Sequence, residues 1–326
     1  MEIKHLSHSN IDFQKWDETV LNAANSLMYA ESWYLNIVSA NWEALVLGDY
    51  EYVMPLPVKR KFGLSFLAQP PLTQQLGIFS KQIIDERIVE LFINNISYRS
   101  YHLNLNEQNQ YYKGVQQPNL LLPLSNNYQT LFSNYSTNTK RNIKKAQQAE
   151  ISVSEEITPE QFLDFYFLAM NNDAKPDKNL TERIVKTCFE RKKLKLYVAI
   201  QENELTSVLC LLHSRGRLVY LLAASNAKGK ELSAMSLIVD KVIQDFAETN
   251  LCFDFEGSKV ETIARFYQGF GAEATTFPQI RKSSIILISF SFLSKLKKKQ
   301  KKLFLRNRKI YDKLMKRITF ITMFIP

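Results

Sequence analysis

The chain has 326 residues, 45% of them hydrophobic and 12% aromatic, with a formal net charge of +10. That length suits two domains of ordinary size, and the apolar content can fill a core in each, which excludes general disorder. The basicity is local: Lys295 to Pro326 hold twelve Lys/Arg against Asp312 alone, a balance of +11 that leaves −1 for the rest, so the charge belongs to a tail.

In chain order, apolar periodicity predicts helices near residues 16–25 and 31–40. A hairpin follows, its strands at 44–47 and 52–55 meeting across Gly48-Asp49. Next come a short strand near 64–67, a helix from 81 to 95 capped by Ser80, and an alternating strand at 101–105. Residues 128–150 read as a largely polar helical joint.

The pattern sharpens beyond it. Residues 151–155 alternate as a strand. Thr158-Pro159-Glu160-Gln161 supplies an N-cap, a proline at the first helical position and a capping-box glutamine, so a helix should run to about Met170. A second helix covers 181–191. Strands at 196–200 and 205–212 are joined by a polar turn at 201–204, and Ser214-Arg-Gly-Arg217 leads into a third strand, 218–224. Ser233 opens a helix whose apolar face uses Met235, Ile238, Val242 and Phe246. A strand at 252–255, a helix at 260–270 and a last strand within 285–293 complete the order β-α-α-β-β-β-α-β-α-β.

The first half is a blurred version of the same order, and its hairpin turn precedes that of the second half by about 154 residues. The expected fold class is α/β: two tandem units, each a mixed twisted sheet flanked by helices. The expected divisions are a degenerate unit at 1–126, a connecting basic helix at 127–150, a chemically active unit at 151–290 and a basic amphipathic tail at 291–326.

Three segments carry a family resemblance: Ser136-Thr-Asn-Thr-Lys-Arg-Asn-Ile-Lys-Lys-Ala146, Phe253-Asp-Phe-Glu-Gly-Ser258 and Ile263-Ala-Arg-Phe-Tyr-Gln-Gly-Phe-Gly-Ala272. With the element order, they resemble the GNAT acyltransferase superfamily, and the paired units resemble its FemAB-like branch. The likeness covers residues 127–282 well and the first 125 loosely. It implies N-acyl transfer from an acyl-CoA such as acetyl-CoA, or from an aminoacyl-tRNA, to an amine on a small-molecule or cell-envelope precursor. It places Tyr267 and Gly271 on the family's tyrosine and glycine. The family's pyrophosphate loop departs here: its first glycine becomes Leu232, and only Ala234 fits. Lys228-Gly229-Lys230 lies just upstream.

Each candidate site has a chemical and a structural reading. Tyr267 can protonate a departing thiolate or alkoxide without bringing a full charge into an apolar cleft, or it can pack beside Phe266 and Phe270. Asp254 and Glu256 would share one face of a strand. There Glu256 could take the acceptor's proton, its pKa lifted by its neighbour, or the pair could cap the next helix with Ser258 as N-cap. Lys228, Gly229, Lys230, Leu232 and Ser233 form either an anion site for donor phosphates at a helix start or a solvated loop. Lys140, Arg141, Lys144 and Lys145 lie on one side of a helix, as phosphate or acceptor contacts or as a solvated face.

No metal is expected, since His5, His8, His102 and His213 have no ligand spacing. Cys188, Cys210 and Cys252 read as buried thiols in a reducing compartment. The start lacks a secretory apolar region and no run suffices to span a membrane, so a cytoplasmic location is expected. The tail spaces Leu296, Leu303, Ile310 and Leu314 at near-heptad intervals and suits an anionic membrane surface, RNA, or light packing on the body. The rival from another class is a non-catalytic GNAT-fold binding protein attached to membrane or RNA by that tail.

Overall fold

The computed structural model describes residues 2–61, 63–170 and 176–283. Among the described residues, 2–98 and 102–280 form one compact unit, and 99–101 and 281–283 fall outside it. The expected strand at 285–293 and the basic tail lie outside the described residues.

The first half contains β1 (Ile3–Leu6), α1 (Phe13–Asn22), α2 (Ser32–Val38), β2 (Glu43–Leu47), β3 (Tyr52–Leu56), β4 (Val58–Lys61), β5 (Leu64–Ala68), β6 (Phe79–Ser80), α3 (Glu86–Asn94), β7 (Tyr101–Asn104) and β8 (Val115–Pro123). The second contains α4 (Tyr128–Ser133), α5 (Thr137–Gln148), β9 (Ser152–Ser154), α6 (Pro159–Ala169), α7 (Lys178–Glu190), β10 (Leu194–Gln201), β11 (Glu204–Ser214) and β12 (Arg217–Ser225). It ends with α8 (Ala227–Glu231), α9 (Ala234–Phe246), β13 (Cys252–Asp254), α10 (Glu261–Gln268) and β14 (Glu273–Lys282).

Local chemistry explains most boundaries. The capping box at Thr158 and Gln161 is present and starts α6. The helix expected from residue 81 starts later, because Asp85 accepts the Ile88 amide at 2.9 Å. Ser80 is instead in β6 and donates its hydroxyl to the Glu51 carbonyl. The joint at 128–150 breaks into two helices, with Ser136 accepting the Thr139 amide at 3.1 Å to start α5.

A four-stranded sheet has the order β1-β2-β3-β6, and a ten-stranded sheet the order β4-β5-β7-β14-β8-β13-β12-β11-β10-β9. The larger sheet therefore draws strands from both halves, and β8 of the first half lies between β13 and β14 of the second. Alternation along β10 to β12 builds two cores. Leu196, Val198, Val208, Cys210 and Val219 face one side, where they join Trp16, Tyr34 and Trp42 of the first half and Phe162 and Ile184 of α6 and α7. Tyr197, Ala199, Leu209, Leu218 and Tyr220 face the other, against Ile143, Ile238, Val242 and Phe270. Each face buries alternate residues, as a strand covered on both sides requires.

One junction positions the site. β12 and β13 run parallel and pair only at Arg217–Cys252, Leu218–Phe253 and Val219–Asp254. β12 continues to Ser225, whereas the chain after Asp254 turns away through Glu256 and Gly257, both left-handed at φ 57° and 58°. The strands part there.

Candidate active site

The gap between the parted strands is open. A cavity of about 650 Å³ is lined by the far end of β12, by Phe255-Glu256-Gly257, by Tyr267 and its neighbours on α10, and by Tyr166, Ala169 and Met170 near the end of α6. Lys230 and Met235 complete it from α8 and the start of α9. Its walls are mainly apolar, with Ser225, Lys230, Glu256, Thr262 and three tyrosines as the lining residues that carry polar groups.

Glu256 lies beyond the strand end, so strand alternation does not set its direction. The Asp254 carboxylate accepts the Glu256 amide at 2.9 Å, which fixes the turn. Arg217 holds Asp254 at 2.6 Å and also pairs with Glu107. Asp254 is thus the structural member of the pair, committed to a buried ion-pair cluster. The Glu256 carboxylate accepts the hydroxyl of Tyr29, and its carbonyl accepts the side-chain amide of Gln74. Burial pushes the Glu256 carboxyl up to about 8; the Tyr29 hydrogen bond opposes that rise and the Asp254 charge adds to it. Gly257 is required twice over. Its φ is positive, and a Cβ would come within 2.5 Å of the Pro118 carbonyl oxygen on β8.

Tyr267 sits in the last turn of α10, its ring stacked on Phe255 at 4.8 Å and edge-on to Tyr220 at 5.3 Å. The residue is 9% exposed. Its hydroxyl has no hydrogen-bond partner among the described residues, although the ring lines the cavity. Burial, and after it the Glu256 charge, raises its pKa well above the usual phenol range, so it stays a proton donor at neutral pH. The helix begins at Glu261 with Val260 in the cap position; Ser258 makes a turn instead, accepting the Val260 amide at 3.0 Å. Gly271, at φ 85°, carries the chain out, while Gly269 is needed for close packing, since a Cβ would meet the Thr139 hydroxyl at 2.3 Å.

Of the five residues expected to hold donor phosphates, only Lys230 lines the cavity. The segment is helical and not a glycine loop. Asn226 caps it by accepting the Gly229 amide at 2.8 Å, and the amides of Lys230, Leu232 and Ser233 donate to carbonyls of the same segment. Gly229 is a packing glycine, because a Cβ would lie 2.2 Å from the Thr206 carbonyl oxygen. Lys228 pairs with Glu202 at 2.8 Å. Leu232 packs on the core, and Ser233, at φ 61°, makes the corner between α8 and α9. No acceptor among the described residues meets the next two amides, Ala234 and Met235.

The cationic stripe of α5 does not reach the cavity. Lys140 donates to the Ser133 carbonyl at 2.9 Å, Arg141 to Asn138 at 2.7 Å, and Lys144 is exposed. Lys145 donates to the Glu231 carbonyl at 2.5 Å, tying α5 to the end of α8. Burial pushes the Cys188 and Cys252 thiols up to about 12 and about 11, so neither is a thiolate nucleophile. Among the described residues no cluster of His, Cys, Asp or Glu could hold a metal, and no helix is long and apolar enough to cross a membrane.

Sequence reasoning missed Tyr29 and Gln74. Both belong to the first half, and no local motif marks them. Tyr220 and Tyr166 were legible only as strand and helix core residues.

Comparison with known proteins bears on the fold. The profile of the GNAT acetyltransferase domain matches residues 133–262. No curated protein sequence matches the chain. The structure is similar to that of FemX, with a TM-score of 0.65 at 11% identity, covering 88% of this chain and 98% of that one. It is similar to a conserved protein of unknown function from Bacteroides thetaiotaomicron, with a TM-score of 0.51 at 8% identity, covering 84% and 93%. It is also similar to the C-terminal domain of a candidate lysylphosphatidylglycerol synthetase from Agrobacterium fabrum, with a TM-score of 0.50 at 9% identity, covering 84% and 92%. At such identities the likeness is one of fold, and with FemX it extends over both halves. Residues 133–262 are thus similar to the GNAT acetyltransferase domain, and the chain has a FemX-like tandem α/β fold.

Proposed function

We propose that the protein is an N-acyltransferase that moves an acyl or aminoacyl group from a CoA- or tRNA-type donor to an amine. The observation that carries this reading is the open gap between β12 and β13, lined by both Glu256 and Tyr267. The donor carbonyl lies in the gap. The acceptor nitrogen attacks it, a C–N bond forms, and the C–S or C–O bond to the donor breaks. The leaving sulfur or oxygen takes the Tyr267 proton, while the acceptor's surplus proton passes through water to Glu256. Return of that proton to the phenolate resets the site. The raised thiol pKa values leave Cys188 and Cys252 no part as thiolate carriers of the acyl group.

Donor phosphates would approach Lys230 and the amides of Ala234 and Met235, where a thirteen-residue helix begins. Lys228, Gly229, Leu232 and Ser233 support this only indirectly, by building the corner. Lys140, Arg141 and Lys144 would meet a distant part of a large donor or acceptor. FemX and the lysylphosphatidylglycerol synthetase domain share the fold, which brings aminoacyl-tRNA and cell-envelope acceptors into the range of this proposal. The site would work in the cytoplasm, with the tail at 295–326 as a membrane contact.

Mass spectrometry of ligand co-purified with the full chain, together with calorimetry using acetyl-CoA and an aminoacyl-tRNA in turn, tests the donor class. Binding of one, lost on Lys230→Glu, supports the reading; binding of neither removes it. A second reading has its own observation. α8 fills the place of the family's phosphate loop, as it would in a non-catalytic protein that kept the fold as a binding surface.

A further inference from the structure

Glu256 is held from the other half of the chain. Tyr29 lies in a short turn at residues 28–30, is 3% exposed, and donates its hydroxyl to the Glu256 carboxylate across 227 positions of sequence. Gln74, also of the first half, grips the Glu256 carbonyl and lies 3.3 Å from the Asn119 side chain. The Glu256 amide goes to Asp254. Every polar group of Glu256 except one carboxylate oxygen is thus spoken for, and the residue still lines the cavity. A general base must present a fixed lone pair to its proton.

We infer that Tyr29 is a positioning residue of the transfer reaction: its hydroxyl orients the Glu256 carboxylate toward the cavity and stabilises its ionised form. This inference rests on the proposed role of Glu256 as base, and it assigns the first half a direct part in the chemistry. The alternative is a tyrosine that fills space beside Tyr34, whose ring lies 5.5 Å away.

The surroundings of Glu256 leave Tyr29 as the one side-chain donor to its carboxylate among the described residues. Asp254 brings negative charge from the preceding strand but is paired with Arg217, which also holds Glu107. Tyr34 of α2 and Tyr267 of α10 are close enough to feel the Glu256 charge, and both stay protonated because burial lifts their pKa values. Lys230 lines the same cavity. A donated hydrogen bond favours the ionised carboxyl, and its loss disfavours it.

The test is titration of the ¹³C-glutamate-labelled full chain by NMR, with Glu256→Gln identifying the Glu256 signal. Tyr29→Phe should move that titration to higher pH by roughly one to two pH units. Uniform 3-fluorotyrosine, whose phenols are stronger donors, should move it lower, and this arm decides should Tyr29→Phe fail to fold. A titration that moves in neither case overturns the inference. The pH profile of acyl transfer separates the two layers. If the profile moves with the titration in Tyr29→Phe, both hold. If the titration moves and the profile does not, Tyr29 orients Glu256 but Glu256 is not the base.

Discussion

Glu256 carries opposite demands in one side chain. Burial and the neighbouring Asp254 charge favour its protonated form, and the Tyr29 hydroxyl favours the ionised one, leaving the group near pH 8. The consequence for stability has a definite sign. In the unfolded chain a glutamate titrates at about 4.3. Between there and about pH 8 the folded state holds a proton the unfolded state has lost, so stability falls as pH rises through that window and levels above it. Glu256→Gln should abolish this fall. Denaturant melts should show the variant gaining about 3–5 kcal/mol on the parent between pH 5 and pH 8; parallel pH curves would contradict it. At this scale the placing of Glu256 and Tyr267 beside one cavity was legible, since strand-turn-helix and glycine signals flank them. Tyr29, Gln74 and the Arg217 cluster were not, because their roles come from contacts 37 to 227 positions apart that leave no local pattern.

The strand-to-helix turn after β13 is the most constrained element. It needs left-handed backbone at residues 256 and 257 and touches β8 so closely that only glycine fits at 257. Gly257→Ala should cost about 2–4 kcal/mol through combined strain and overpacking, read as a lower denaturation midpoint with unchanged slope. A neutral effect would mean that β8 does not abut the turn. Elements with strong local chemistry were readable in advance: the capping box of α6, the turns joining β10 to β12, the helix after Ser233. β8 was not, because Pro118 and Pro123 interrupt it and its apolar residues bunch at one end, so period-two alternation never forms. α8 was missed for a related reason. Lys-Gly-Lys looks like a loop, and only the Asn226 cap and the close approach of Thr206 make it a packed turn of helix.

Across the whole molecule, the two halves are less separate than a duplication suggests. They share the ten-stranded sheet, both of its cores, since Leu120 and Leu122 of β8 enter the second, and the residues that hold Glu256. Periodicity could show two similar element orders; it could not show that β8 lies between β13 and β14. The tail is separable in composition, with +11 against a body of −1. Removing residues 295–326 should weaken binding to anionic lipid vesicles at least tenfold while donor turnover persists. Retained vesicle binding, or loss of RNA binding instead, would reassign the tail. A tail-dependent vesicle contact with no turnover in either form would favour the non-catalytic reading.

The central claim is that the parted strands form a working acyl-transfer cleft with Tyr267 as its acid. Tyr267→Phe keeps the ring stacked on Phe255 and removes only the hydroxyl. Donor affinity by calorimetry and donor consumption with primary amines should be compared for parent and variant. Affinity should stay within about twofold and turnover should fall by about 10²-fold or more. Equal turnover in the two proteins would contradict it.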